Sequence, residues 1–165
     1  FLRPKNLSDD FSTTLEVVIH CLNWLESRNM NPEQFCCLYA TAPFVKPQDF
    51  KKAFKLLDKK KGDQFIYTAT NFPSPIQRAL KIDKKGISSM FFPEFFESRS
   101  QDLEKSFHDT GQFYLASPKV WKTKKNHFEG GFPIVIPNWR AQDIDTIQDW
   151  LKAELLHEIV EKIVE

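Results

Sequence analysis

Cysteine is scarce in this sequence, at three of 165 residues, and no two of them form a C-x-x-C pair. Cys36 and Cys37 are neighbours that would face opposite ways on a strand, and Cys21 makes the set odd, which suits reduced, mostly buried thiols rather than a metal cluster. Three familiar catalytic signatures are missing: there is no H-E-x-x-H, no Ser-His-Asp signature and no Walker-type glycine loop. Charge of one sign is missing as well. With 23 basic and 22 acidic residues, the chain has no overall electrostatic footprint for nucleic acid or an anionic membrane, so a charged ligand must be held locally. No apolar run reaches the length of a membrane span, and no charged leader precedes an apolar stretch, so the expectation is a soluble, cytoplasmic protein.

What is present is 41% hydrophobic and 27% charged residues, enough for one compact domain over 1–165. Helical and strand-like patterns alternate along it. Between Ser12 and Arg28, Leu15, Val18, Ile19, Leu22 and Leu25 recur at helical spacing. Gln34 to Ala40 is a short apolar run between Pro32 and Pro43 and suits a buried parallel strand. Phe50, Phe54, Leu56 and Leu57 set against lysines make a second surface helix, and Gln64 to Thr70 a second strand. QRALKI and ISSMFF flank the turn DKKG, where Gly86 suits a positive φ, and together they read as a hairpin. GQFYLA, FPIVIP and AQDID read as further strands. Ile147 to Val164 reads as a terminal helix with Trp150, Leu151, Leu155, Ile159 and Ile163 on its inner face.

This alternation predicts a three-layer α/β/α, Rossmann-like fold with a mostly parallel sheet and a hairpin-containing excursion. Ligands of such sheets sit beyond the carboxyl ends of the strands, which directs attention to the loops TAPF, TNFPSP and DIDT. If DIDT continues a strand, Asp143 and Asp145 share one face about 6.5 to 7 Å apart and can reach one hard cation such as Mg²⁺. The same stretch also reads as a helix start, with Thr146 as N-cap and Asp149 three residues on, and spacing alone leaves both readings open. Ser98 to Tyr114 is the second dense cluster. One of only five arginines, Arg99, lies there with Gln101, Asp102, His108, Asp109, Gln112 and Tyr114, a set that either grips a carboxylate and hydroxyls or forms a solvated surface. His127, in the lysine-rich KTKKNHFEGG, is expected to be exposed. MFFPEFF reads as core or as an interface.

The stretches FLRPKNLSDDFSTTLEV, CCLYATAP, SRSQDLEKSFHDTGQFY and QDIDTIQDWLKAE, in this order, resemble the acylneuraminate cytidylyltransferase family. Within it they are most similar to the pseudaminic acid branch, over Phe1 to about Leu156. The resemblance implies a nucleotide-diphospho-sugar transferase-like fold and transfer of CMP from CTP to a nine-carbon 2-keto sugar acid, with release of pyrophosphate and with Mg²⁺ as cofactor. It implies Asp143 and Asp145 as catalytic metal-binding aspartates, and Arg99, Gln101, His108, Asp109, Gln112 and Tyr114 as the sugar-acid site. Thr13, Thr14 and Thr41 match the nucleotide pocket. The implied assembly is a homodimer, in which an excursion at 84–116 packs on the partner and helps to close its sugar pocket.

The departures from the family are specific. Ser100 stands where sialic-acid enzymes carry arginine before the glutamine, with Arg99 one place earlier; Tyr39 replaces a nucleotide-contacting glutamine; HDTG replaces an arginine-proline-asparagine-glycine pattern. The last two point to the pseudaminic branch, with sialic or legionaminic acid as alternative substrates. Family members open with a strand and a basic Gly/Ser loop for the triphosphate, which is not found here. The chain is therefore expected to be the C-terminal portion of a cytidylyltransferase domain, inactive alone, or else a non-catalytic dimerisation or sugar-binding module.

Overall fold

The computed structural model describes residues 2–164 other than 61 and 125, with side chains up to residue 160. Local chemistry fixes where each helix begins. Thr13 caps α1 (Thr14–Glu26) through a reciprocal capping box with Glu16, whose carboxylate accepts the Thr13 N–H at 2.8 Å. Pro47 opens α2 (Pro47–Lys59), and Asp49 accepts the Lys46 N–H at 3.1 Å. Ser117 caps α3 (Pro118–Thr123). Thr146 and Asp149 bond reciprocally at the start of α4 (Ile147–Val164), as the sequence predicts. These bonds hold the Asp149 carboxyl below its usual range, the Thr146 hydroxyl contributing most.

Among the described residues the central sheet has four strands in the order β1-β5-β2-β6: β1 (Phe35–Leu38), β5 (Phe107–Ala116), β2 (Ile66–Asn71) and β6 (Phe132–Val135). β1, β2 and β6 run the same way, as expected, but β5 runs against them between β1 and β2, so the sheet is mixed. β1 is thus a half-buried strand paired antiparallel with β5, and only β2 and β6 pair in parallel. The stretch AQDID forms no strand; residues 141–144 have no regular structure and 145–146 bend into α4.

Side-chain alternation on β2 and β5 builds two half-cores, which makes the three layers. On one face Phe65, Tyr67 and Ala69 of β2 and its approach, with Tyr114 and Ala116 of β5, pack on Val18 and Leu22 of α1 and Val120 and Trp121 of α3. On the other face Ile66, Phe113 and Leu115 pack on Ala53 and Leu57 of α2. Each fully buried large side chain here contributes about 1.5–3 kcal/mol.

A short two-stranded sheet, β3 (Leu80–Ile82) with β4 (Ser88–Met90), stands apart as the expected hairpin, and Gly86 at its turn has φ +82°. Of the stretch 84–116, Phe107–Ala116 is an interior strand of the central sheet, and the hairpin itself begins earlier, at Leu80. The terminal helix also differs from expectation. Trp150, Leu151, Leu155 and Ile159 are exposed, and α4 meets the rest of the chain along Ala153, Leu156 and Val160. Helical periodicity marks a stripe, but the small Ala153 lets a neighbouring line of the helix approach more closely. The Ile163 side chain lies outside the described residues.

A buried ion pair locks the segment after β6. Arg140 and Asp49 are 6% and 3% exposed, their side chains pair directly, and the guanidinium also donates to the Phe44 carbonyl at 3.0 and 3.1 Å. Arg140→Leu strands the Asp49 carboxylate in the interior and is expected to cost about 3–5 kcal/mol. Urea unfolding checks this, with the Arg140→Leu/Asp49→Leu double variant regaining much of the loss.

Candidate active site

Because β5 is antiparallel, its first residues lie at the same end of the sheet as the carboxyl ends of β1, β2 and β6. Tyr39, Asn71, His108 to Gly111 and the segment 138–145 therefore converge there. The register of β5 against β2 jumps between Tyr67 and Ala69, whose partners are Tyr114 and Asp109. Gly111 takes φ +61° in this bulge. A Cβ placed on Gly111 would lie 3.0 Å from Asp143 Oδ2, so the bulge is the surface against which this carboxylate rests.

Asp143 and Asp145 are both exposed, and Asp143 Oδ1 accepts the Ile144 N–H at 3.0 Å. The strand-face argument for their spacing does not apply, since no strand forms there. What brings them to the site is the turn of residues 138–142, held by Arg140. Among the described residues no group of three or more His, Cys, Asp or Glu side chains is placed to hold a metal ion. Two hard carboxylates suit an ion that completes its coordination with substrate phosphates and water, and do not make a closed protein cage.

The nucleotide and sugar residues read from the sequence do not stay apart. Thr13, Thr14, Leu15, Tyr39, Tyr114 and His127 line one cleft of about 360 Å³ on the α1 face of the sheet. Thr14 Oγ1 bonds the Tyr39 hydroxyl, and the Tyr114 hydroxyl donates to Asp109 Oδ2. Burial pushes the Tyr39 and Tyr114 phenols above their usual range, and for Tyr114 the Asp109 bond adds to the rise. Nearby negative charge on Asp109 and Asp143 acts on Tyr39 in the same direction, which ties the cleft electrostatically to the acidic loop. A second cavity of about 300 Å³, lined by Tyr67, Ala69, Phe128, Pro133 and Val135, includes His108 and Asp109. His108 stacks near Phe72 at 4.8 Å and its Nδ1 lies 2.7 Å from the Asp109 carbonyl.

Other expected residues fall elsewhere. Gln112 is fully buried and donates to the Arg140 carbonyl at 2.6 Å, which sets its amide in the interior beside the Arg140 turn. Arg99 is exposed and makes a bidentate pair with Asp102, at 2.7 and 3.2 Å, on the 3-10 turn that also carries the exposed Gln101. Neither lines a described cavity that holds Tyr114 or Asp109. Thr41 is half-buried in the loop after β1, and Thr13 Oγ1 is taken up by the α1 cap. Sequence reasoning missed Arg140, which no local pattern marks, and placed His127 in an exposed loop. His127 instead packs against Phe65, Tyr114 and Trp121 at 4.7, 4.9 and 5.4 Å between centroids. Aromatic residues on either side of a Gly-Gly turn were the available signal. The thiols are free as expected, and burial raises all three, Cys36 to about 11.

No family model matches the chain. Its fold is that of a solved CMP:2-keto-3-deoxy-manno-octonic acid synthetase complexed with CTP, at a TM-score of 0.54 and 10% identity, over 90% of this chain and 70% of that one. Fold and sheet-end cleft together define an α/β protein whose polar and acidic groups gather at one end of a mixed sheet. Over 160 residues the chain is 38% identical to the pseudaminic acid cytidylyltransferase of Campylobacter jejuni serotype O:2, covering 96% of itself and 68% of that protein. It is 26% identical over 167 residues to the CMP-N,N'-diacetyllegionaminic acid synthase of Legionella pneumophila, again covering 68% of the relative. The chain belongs to the pseudaminic acid cytidylyltransferase family.

Gly111→Ala is expected to destabilise the protein by about 1–2 kcal/mol, the cost of a left-handed conformation for a residue with a Cβ, and to displace Asp143. Urea melts give the first quantity, and the backbone chemical shifts of Asp143 and Ile144 report the second.

Proposed function

We propose that the protein transfers CMP from CTP to a nine-carbon 2-keto sugar acid, pseudaminic acid, with release of pyrophosphate. The observation that carries this reading is the 38% identity to a pseudaminic acid cytidylyltransferase across 96% of the chain. The anomeric hydroxyl of the sugar acid attacks the α-phosphorus of CTP; the new oxygen–phosphorus bond forms as the bond to pyrophosphate breaks. Reactions of this type depend on positioning and on charge stabilisation. Asp143 and Asp145 would hold Mg²⁺, and when bound this ion neutralises charge on the phosphates and the leaving pyrophosphate. Gly111 and the α4 cap fix where the two carboxylates stand. Tyr114 and Asp109 are assigned to the sugar acid and His108 to its substituents, while Thr14 and Tyr39 border the nucleotide side of the cleft.

The legionaminic acid synthase relative makes the isomeric sugar acid the second reading. A CTP-dependent pyrophosphate assay over pseudaminic, legionaminic and sialic acids separates the two. Asp145→Ala in the full-length protein is expected to abolish pyrophosphate release while leaving the thermal melt unchanged; an active variant removes Asp145 from the reaction.

We also propose that the protein works as a homodimer. The β3–β4 hairpin and its continuation expose Leu80, Ile82, Ile87, Phe91 and Phe96, an apolar surface that calls for a partner. Light scattering at micromolar concentration is expected to give twice the monomer mass, and Phe96→Asp with Ile82→Asp to shift it toward the monomer.

A further inference from the structure

His127 is a polar group inside an aromatic wall. Its ring packs against Phe65, Tyr114 and Trp121, and its Nε2 is buried without a hydrogen-bond partner. The cleft it lines with Thr13, Thr14, Leu15, Tyr39 and Tyr114 has other polar side chains, and each already makes a hydrogen bond. Thr13 Oγ1 belongs to the α1 cap, Thr14 Oγ1 and the Tyr39 hydroxyl bond each other, and the Tyr114 hydroxyl donates to Asp109. A ligand that enters this cleft meets apolar faces, hydroxyls that already make at least one hydrogen bond each, and beside them His127 Nε2, which makes none.

We infer that His127 reads the sugar acid: its neutral imidazole accepts a hydrogen bond from a donor of the substrate, a hydroxyl or an acylated amine, and so helps to set which sugar acid is taken. This rests on the reading of the protein as a sugar-acid cytidylyltransferase and assigns a residue that the family resemblance does not. An unmade hydrogen bond in a buried place is unfavourable, and a ligand donor relieves it as the ring turns toward the cleft. The tyrosine rings and Leu15 suit the C–H faces of a sugar ring.

Burial keeps the imidazole below its usual range of protonation, opposed by the Asp109 carboxylate. The titratable groups around it are Asp109 and Tyr114 on β5 and Tyr39 after β1. The neutral acceptor form is therefore favoured more strongly than in a free imidazole, and protonation at acid pH removes it.

The test is steady-state kinetics of the full-length protein with His127→Phe, which keeps an aromatic ring, and His127→Gln, which restores a hydrogen-bonding group. His127→Phe is expected to raise KM for the sugar acid about tenfold, with KM for CTP within twofold and the thermal melt unchanged. His127→Gln should recover part of that loss. The wild-type rise in sugar-acid KM at acid pH should disappear in His127→Phe. Analogues carrying hydroxyl in place of each acylated amine then show which donor is read. An unchanged sugar-acid KM in His127→Phe, or a rise in KM for CTP instead, overturns the inference. Wild-type protein that transfers CMP to no sugar acid would instead overturn the reading on which it rests.

Discussion

The Arg140–Asp49 pair is the constraint on which the site depends. Two residues 91 positions apart meet in the interior, and the guanidinium reaches on to the Phe44 carbonyl of the loop after β1. Its own main-chain carbonyl takes the amide of Gln112 from β5. One residue thus ties together α2, the β1 loop, the bulged strand and the turn that delivers the acidic loop. A buried ion pair is a costly way to gain stability, but a lone partner is far costlier, so the segment after β6 has few other places to go.

With that turn fixed, the remaining geometry follows from the sheet. The bulge at Gly111 leaves space where any other side chain would meet the Asp143 carboxyl, and the α4 cap restrains the next residues. Tyr39, Tyr114 and Asp109 lie close enough for their charges to act on one another. The aromatic packing around His127 continues this surface across the α1 face of the sheet.

Much of this was legible in the residues. The α4 limits, the Thr146 cap, the hairpin turn at Gly86 and the positions of β1, β2 and β6 follow from local patterns, because each depends on neighbours within about four residues. The direction of β5 was not legible: its apolar alternation is the same whichever way it pairs. The apparent strand at AQDID failed because hydrogen bonding there goes to side chains and to a helix start instead of a ladder. Arg140 and Asp49 look like ordinary surface residues, since long-range pairing has no local mark. His127 was misread because lysines nearby suggested water, while the rings that enclose it come from the residue before β2, from β5 and from α3. The reading of Asp143 and Asp145 as metal ligands comes from the family resemblance and stays a proposal, since spacing alone left it undecided.

The reversed strand has one further consequence. In sheets of this class, ligand groups usually hang on loops, which vary in length with little effect on the core. Here His108 and Asp109, the residues proposed to face the sugar acid, belong to β5 itself, continuous with the buried Phe113 and Leu115. An insertion among them would slip the register and turn core side chains toward the opposite layer. A protein built this way can change its preference for a ligand by exchanging one side chain for another, but not by lengthening or shortening the chain, so its range of recognition is set by chemistry at fixed points.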